Sequence, residues 1–105
     1  AACNPYLAFA AYVVAGMDGI ARELDPGEPN RSNMYDLSLD EIRQRGINML
    51  AQSLPEAVAE LKQDEVVQSG LGVIADDFIK LKEAEWSEYH SQVSRWEVDR
   101  YLQMF

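Results

Sequence analysis

The sequence predicts an all-α domain, and three observations carry that reading. The pattern Ser-x-x-Glu occurs three times, as Ser38-Leu39-Asp40-Glu41, Ser53-Leu54-Pro55-Glu56 and Ser94-Arg95-Trp96-Glu97. In such a box the serine oxygen accepts from a free backbone N–H of the first turn, and the glutamate reaches back to the serine's own N–H. Apolar residues recur at helical spacing after each box. No segment alternates apolar and polar residues long enough to read as a half-buried strand.

The first helix is expected from Pro5 to about Leu24. Asn4 caps it, and Pro5 stands at the first helical position, where its missing N–H costs nothing. Ten residues, Tyr6 to Ala15, are then apolar, so this helix is expected to be buried on every side. Gly16 and Gly19 each cost about 1 kcal/mol against alanine in a helix, and are expected to admit a close backbone approach by another element. Asp25-Pro26-Gly27-Glu28-Pro29-Asn30 ends the helix, since neither proline continues it. Residues Asp25 to Asp36 form the one long irregular stretch.

The first box opens a short helix that Gly46 ends. The second opens a helix to about Lys62, with Val58 and Leu61 on one face. Asp64 caps a further turn carrying Val66 and Val67, which Gly70 and Gly72 stop. A long amphipathic helix follows, about Ile74 to Gln92. Its stripe of Ile74, Phe78, Leu81 and Tyr89, widened by Ile79, Trp86 and Val93, spans roughly 160°. Lys82 and Glu85 fall inside it, and Lys82 can lay its stem along apolar surface. The third box opens a last helix carrying Trp96, Val98, Tyr101 and Leu102, with Met104 and Phe105 beyond. A terminus this apolar is expected to be docked, on its own domain or on a neighbour.

Length and composition bound the function. The 105 residues fit one domain spanning 1–105, and 48% hydrophobic content suffices for a core. The first residue is Ala1, which reads as a chain processed, truncated or excised from something longer. A net charge of −9 repels phosphate backbones and anionic membranes, so neither nucleic acid nor membrane is an expected partner. The apolar run lacks a basic leader and falls short of the about 20 residues that span a bilayer. Cys3 is the only cysteine, so no internal disulfide forms, and a reducing, cytoplasmic setting fits.

No catalytic, cofactor-binding or metal-binding set emerges from the residues. His90 is the only histidine and has no partners at metal-ligand spacing. Asp64-Glu65 and Asp76-Asp77 stand at expected helix starts, where acids offset the helix dipole. Adjacent residues do not face one another on a helix, so neither pair reads as catalytic. Tyr35 lies in the long loop beside Asp36. It reads either as an anchor packing that loop or as a reachable phenol on the surface.

Taken in order, the residues resemble one family. Asn4-Pro5-Tyr6-Leu7-Ala8-Phe9-Ala10 and Ala15-Gly16-Met17-Asp18-Gly19-Ile20 are similar to the helix that follows the active site in type I glutamine synthetases and related γ-glutamyl–amine ligases. The likeness continues through Asp25-Pro26-Gly27-Glu28-Pro29, Asn33-Met34-Tyr35-Asp36-Leu37 and Ser53-Leu54-Pro55-Glu56-Ala57. It closes on Glu85-Trp86-Ser87-Glu88-Tyr89-His90 and Trp96-Glu97-Val98-Asp99-Arg100-Tyr101-Leu102. The tail resembles the branch holding γ-glutamylmethylamide-type synthetases more than the enterobacterial enzyme.

The resemblance implies a compact helical C-terminal region of about five to six helices, belonging to an α+β enzyme whose catalytic sheet is absent here. It implies a parent activity that makes glutamine or a γ-glutamyl amide from glutamate and ammonia or an amine. The reaction passes through γ-glutamyl phosphate and uses ATP with Mg or Mn. The family's Arg-x-Glu-x-Arg motif precedes the Asn-Pro-Tyr segment, so no catalytic residue carries over and this chain alone is expected to be inactive. Expected partners are the remainder of the ligase polypeptide and other subunits of a homo-oligomer, reached through Trp96, Tyr101, Leu102 and Phe105. Tyr35 aligns with a tyrosine that is adenylylated in some bacterial members, within Asn-Leu-Tyr-Asp-Leu-Pro. Here the last residue is Ser38, which departs from that pattern. The competing reading is a free-standing helical interaction or scaffold module without catalysis.

Overall fold

A computed structural model describes residues 3–102 and residue 104. It contains six α-helices and one 3-10 turn: α1 Pro5–Ala21, the 3-10 turn Met34–Asp36, α2 Leu39–Gln44, α3 Leu54–Gln63, α4 Glu65–Leu71, α5 Ile74–His90 and α6 Arg95–Tyr101. The described residues hold no strand, so the all-α expectation stands.

Local chemistry sets the boundaries. The Asn4 side chain accepts from the N–H groups of Tyr6 and Leu7, opening α1 as expected. The end of α1 departs from expectation, because the helix stops at Ala21, well before Pro26. Leu24 N–H donates to the Gly19 carbonyl at 3.0 Å and Glu23 N–H to that of Ile20 at 3.1 Å. This pair of bonds closes a Schellman cap, and it places Glu23 at φ 50°, left-handed backbone that usually takes glycine.

Two of the three boxes are complete. Ser38 with Glu41 and Ser94 with Glu97 exchange both bonds. In the second box, Ser53 Oγ accepts from Glu56 N–H, but the Glu56 carboxylate accepts from Gln52 N–H at 2.8 Å, one residue before the cap. Asp64 caps α4 by accepting from Val67 N–H. Gly72, at φ 60°, ends that helix, whereas Gly70 lies inside it.

Four helices pack together: α1 on α4, α3 on α5, and α4 against both α3 and α5. Val58, Ala75 and Ile79 are the buried side chains of this group, and Ile42 of α2 is buried separately. On α5 the packed line is Ala75, Phe78, Ile79, Lys82 and Trp86. Ile74, Leu81, Tyr89 and Val93 of the expected stripe are exposed. The reason is that α3 and α4 meet only one edge of a stripe that wide.

The expectation that α1 is buried all round is corrected outright. None of its residues is buried, and Tyr6, Phe9, Tyr12, Val13, Met17 and Ile20 face solvent. Compactness likewise holds only for the four packed helices. The radius of gyration is 18.5 Å, against about 13 Å for a compact chain of this length. Among the described residues, α2 and α6 pack extensively on no other helix.

Candidate functional site

An apolar groove of about 720 Å³ lies between α1, α3, α4 and α5. Leu7, Ala8 and Ala11 form one wall, and Ile74, Phe78 and Leu81 the opposite one. Asp77, Lys82 and Glu85 supply its charged rim. Lys82 is held there by two contacts. Its ammonium pairs with Glu85 at 2.6 Å and lies 5.7 Å from the Phe78 ring centroid. The side chain is 18% exposed, so its stem lies along apolar surface as the sequence suggests. This is an ion pair on a packing surface. A second pair, Lys62 with Glu83, ties α3 to α5.

The other candidates are scattered. Tyr35 is 99% exposed, so its ring packs nothing down and the anchor reading falls. It sits in the 3-10 turn that Asn33 opens by accepting from Tyr35 N–H at 3.2 Å. His90 lies in the last turn of α5, its ring 5.5 Å from that of Trp86. Asp76 and Asp77 fall in the first turn of α5 and Glu65 in that of α4. On α6 the Trp96 ring meets Tyr101 edge-on at 6.1 Å, and the Arg100 guanidinium lies 5.2 Å from Trp96. Trp96, Tyr101 and Leu102 are exposed. Phe105, expected to share their contact, lies outside the described residues.

Electrostatics add no reactive centre. The carboxyls of Glu41 and Glu97 are held below the usual carboxylate value by hydrogen bonds from Ser38 and Ser94, their capping partners. These are fully exposed helix caps, not groups in a cleft. Among the described residues no three His, Cys, Asp or Glu side chains could hold a metal ion together. A nucleotide with its divalent metals needs carboxylate ligands and fixed positive groups around the phosphates. The residues present do not fit that need, so no step of a phosphoryl transfer is assigned to them. No helix among the described residues is long and apolar enough to cross a membrane.

The family model for the glutamine synthetase catalytic domain matches residues 1–101. The chain belongs to the glutamine synthetase family. Its similarity to individual members is spread over its whole length. It is 50% identical to the glutamate–methylamine ligase of Methyloversatilis universalis over 100% of this chain and 24% of that protein. It is 45% identical to a glutamine synthetase of Methanosarcina mazei over 98% of this chain and 23% of that protein. A solved chain described as apo GmaS without ligand superposes with a TM-score of 0.71 at 38% identity, over 95% of this chain and 23% of that one. This family member thus spans about a quarter of the length of the relatives it matches.

Sequence reasoning missed one structural residue of this family member. The expected close approach at Gly16 and Gly19 is absent among the described residues, for a side chain at either would meet none of them within 4 Å. The close approach is at Gly70, where a β-carbon would overlap both methyl groups of Val14 on α1. No local signal in the sequence separates Gly70 from the other glycines, since the contact joins residues 14 and 70.

Proposed function

We propose that this chain is the C-terminal helical part of an ATP-dependent ligase that joins glutamate to ammonia or methylamine through γ-glutamyl phosphate. The observation carrying the reading is the family match along residues 1–101, with identity of 50% to a glutamate–methylamine ligase. The part supports packing and assembly, and the reacting groups belong to the rest of the polypeptide. Exposed Trp96, Tyr101 and Leu102, on a helix that packs extensively on no other among the described residues, support a contact with another subunit, in which Phe105 would join. Sedimentation before and after removal of Ser94 to Phe105 checks that contact, and an unchanged assembly would refute it. Tyr35 is a reachable acceptor for a nucleotidyl group. Intact mass spectrometry of the protein from cells shifted in nitrogen supply should show one added AMP, and its repeated absence would refute the modification.

The reading is tested by transplantation. The matching quarter of the Methyloversatilis ligase is replaced by this chain, and the chimera is assayed with glutamate, ATP and methylamine or ammonia. The expected result is amide formation with release of phosphate, within about tenfold of the parent, a loss equivalent to about 1.4 kcal/mol. A folded chimera without activity would refute the reading.

A further inference from the structure

Helices α3 and α5 leave a hollow of about 240 Å³ where they pack together. Pro55, Ala59 and Lys62 line it from α3, where four- and three-residue steps put them on one face. Lys82, Glu83 and Trp86 line it from α5. The half-buried Trp86 indole forms an aromatic wall, and Pro55 and the small Ala59 complete the apolar side. The polar side is cationic. The whole chain carries a net charge of −9, yet this lining holds Lys62 and Lys82 against Glu83 alone. The Lys62 ammonium pairs with Glu83 across the two helices, and the Lys82 ammonium pairs with Glu85 at 2.6 Å. An ammonium has three N–H donors, so each lysine can meet a further acceptor while it keeps its own partner. Lys82 is mostly covered, so its charge acts through less water than that of a free surface lysine.

We propose that this hollow between α3 and α5 binds a single-ring aromatic carboxylate, with the ring against Trp86 and the carboxylate between the ammonium groups of Lys62 and Lys82. Size sets the upper limit. Pockets for drug-sized ligands measure about 300–1,000 Å³, so this smaller hollow takes one ring with a short substituent and excludes a nucleotide. The indole sets the shape, because a second aromatic ring packs on it offset or edge-on and gains more than the area it buries. The lysines set the sign. A carboxylate gains charge-assisted hydrogen bonds from them, a neutral ring gains none, and an aromatic cation is repelled. The site shares only Lys82 with the apolar groove between α1, α3, α4 and α5. It needs no other part of a ligase polypeptide, so it and the ligase reading can fail separately.

Benzoate is the probe, titrated into the chain while nuclear magnetic resonance follows the backbone amide and indole N–H signals. Saturable shifts should centre on Ala59, Lys62, Lys82 and the Trp86 indole N–H. Benzyl alcohol keeps the ring and loses the charge, and it should bind at least about tenfold more weakly, the scale of one lost charge-assisted hydrogen bond. Acetate keeps the charge and loses the ring, and it should also bind more weakly than benzoate. Lys62→Met with Lys82→Met should weaken benzoate by the same factor at unchanged helicity and leave benzyl alcohol as it was. Ala59→Leu fills the hollow and keeps both charges, and it should abolish the shifts; it carries the test if the lysine double variant does not fold. Benzoate shifts that do not saturate, that centre on α1, or that persist in Ala59→Leu overturn the proposal. Benzyl alcohol binding as tightly as benzoate overturns it too, since the hollow would then be a plain apolar patch.

Discussion

Glu23 shows how one residue can be at odds with its own position. Its φ of 50° closes the Schellman cap of α1, and a side chain there is strained where glycine is not. Glu23→Gly should therefore stabilise the chain by about 0.5–1 kcal/mol, and a thermal melt should rise by about 4 °C. A lowered midpoint would mean that Glu23 makes contacts outweighing its strain. The capping glutamates give a second residue-scale prediction. Hydrogen bonds hold Glu41 and Glu97 below 4.5, their usual value, when folded. The unfolded chain therefore binds protons more readily in the acid range, and stability falls as protons are added. The contribution of the boxes should be whole above about pH 4.5 and fade as the pH drops through the lower folded values. Glutamine caps without titrating, so Glu41→Gln with Glu97→Gln should lessen the acid loss of helicity seen by circular dichroism. Identical acid titrations of the two proteins would contradict this account.

At the scale of elements, the packing of α1 on α4 turns on the fit of Val14 over Gly70. Gly70→Ala should destabilise by about 1–3 kcal/mol, as overpacking does, although alanine is the better helix former. Val14→Ala in the same chain should recover part of that loss, a coupling visible in thermal melts of the double-mutant cycle. Additive effects would show that the two helices separate freely. The same contact marks what was legible in the sequence. Asn4, Ser38, Asp64 and Ser94 could be read as helix starts because a cap bonds within three residues of itself. Which glycine receives a neighbour depends on a contact between residues 14 and 70, and nothing local encodes it. The split of the α5 stripe has the same origin. Periodicity gave the apolar width, but only the placement of α3 and α4 decides that Ala75, Ile79 and Trp86 are covered while Leu81 and Tyr89 are not. Residue type left Tyr35 open between an anchor and a reachable phenol, and only the folded loop, which holds it 99% exposed, decides between them.

For the whole molecule, the family could be read because motifs from Asn4 to Leu102 kept their order, while the extended shape could not. A radius of gyration of 18.5 Å and the open faces of α1 and α6 follow from surfaces that these residues do not cover among themselves. On the proposed function, this chain is a structural part of a ligase, and the rest of that polypeptide would cover the open face of α1. Hydrogen exchange of the α1 amides, Tyr6 to Ile20, measures this directly in the isolated chain and in the chimera. Fraying, solvated helices open with little free energy, and covered ones approach the global limit. The account predicts protection of α1 at least about 100-fold greater in the chimera, equivalent to about 2.7 kcal/mol of local stability, with α3 and α5 changing less. Equal protection of α1 in the two proteins would contradict it.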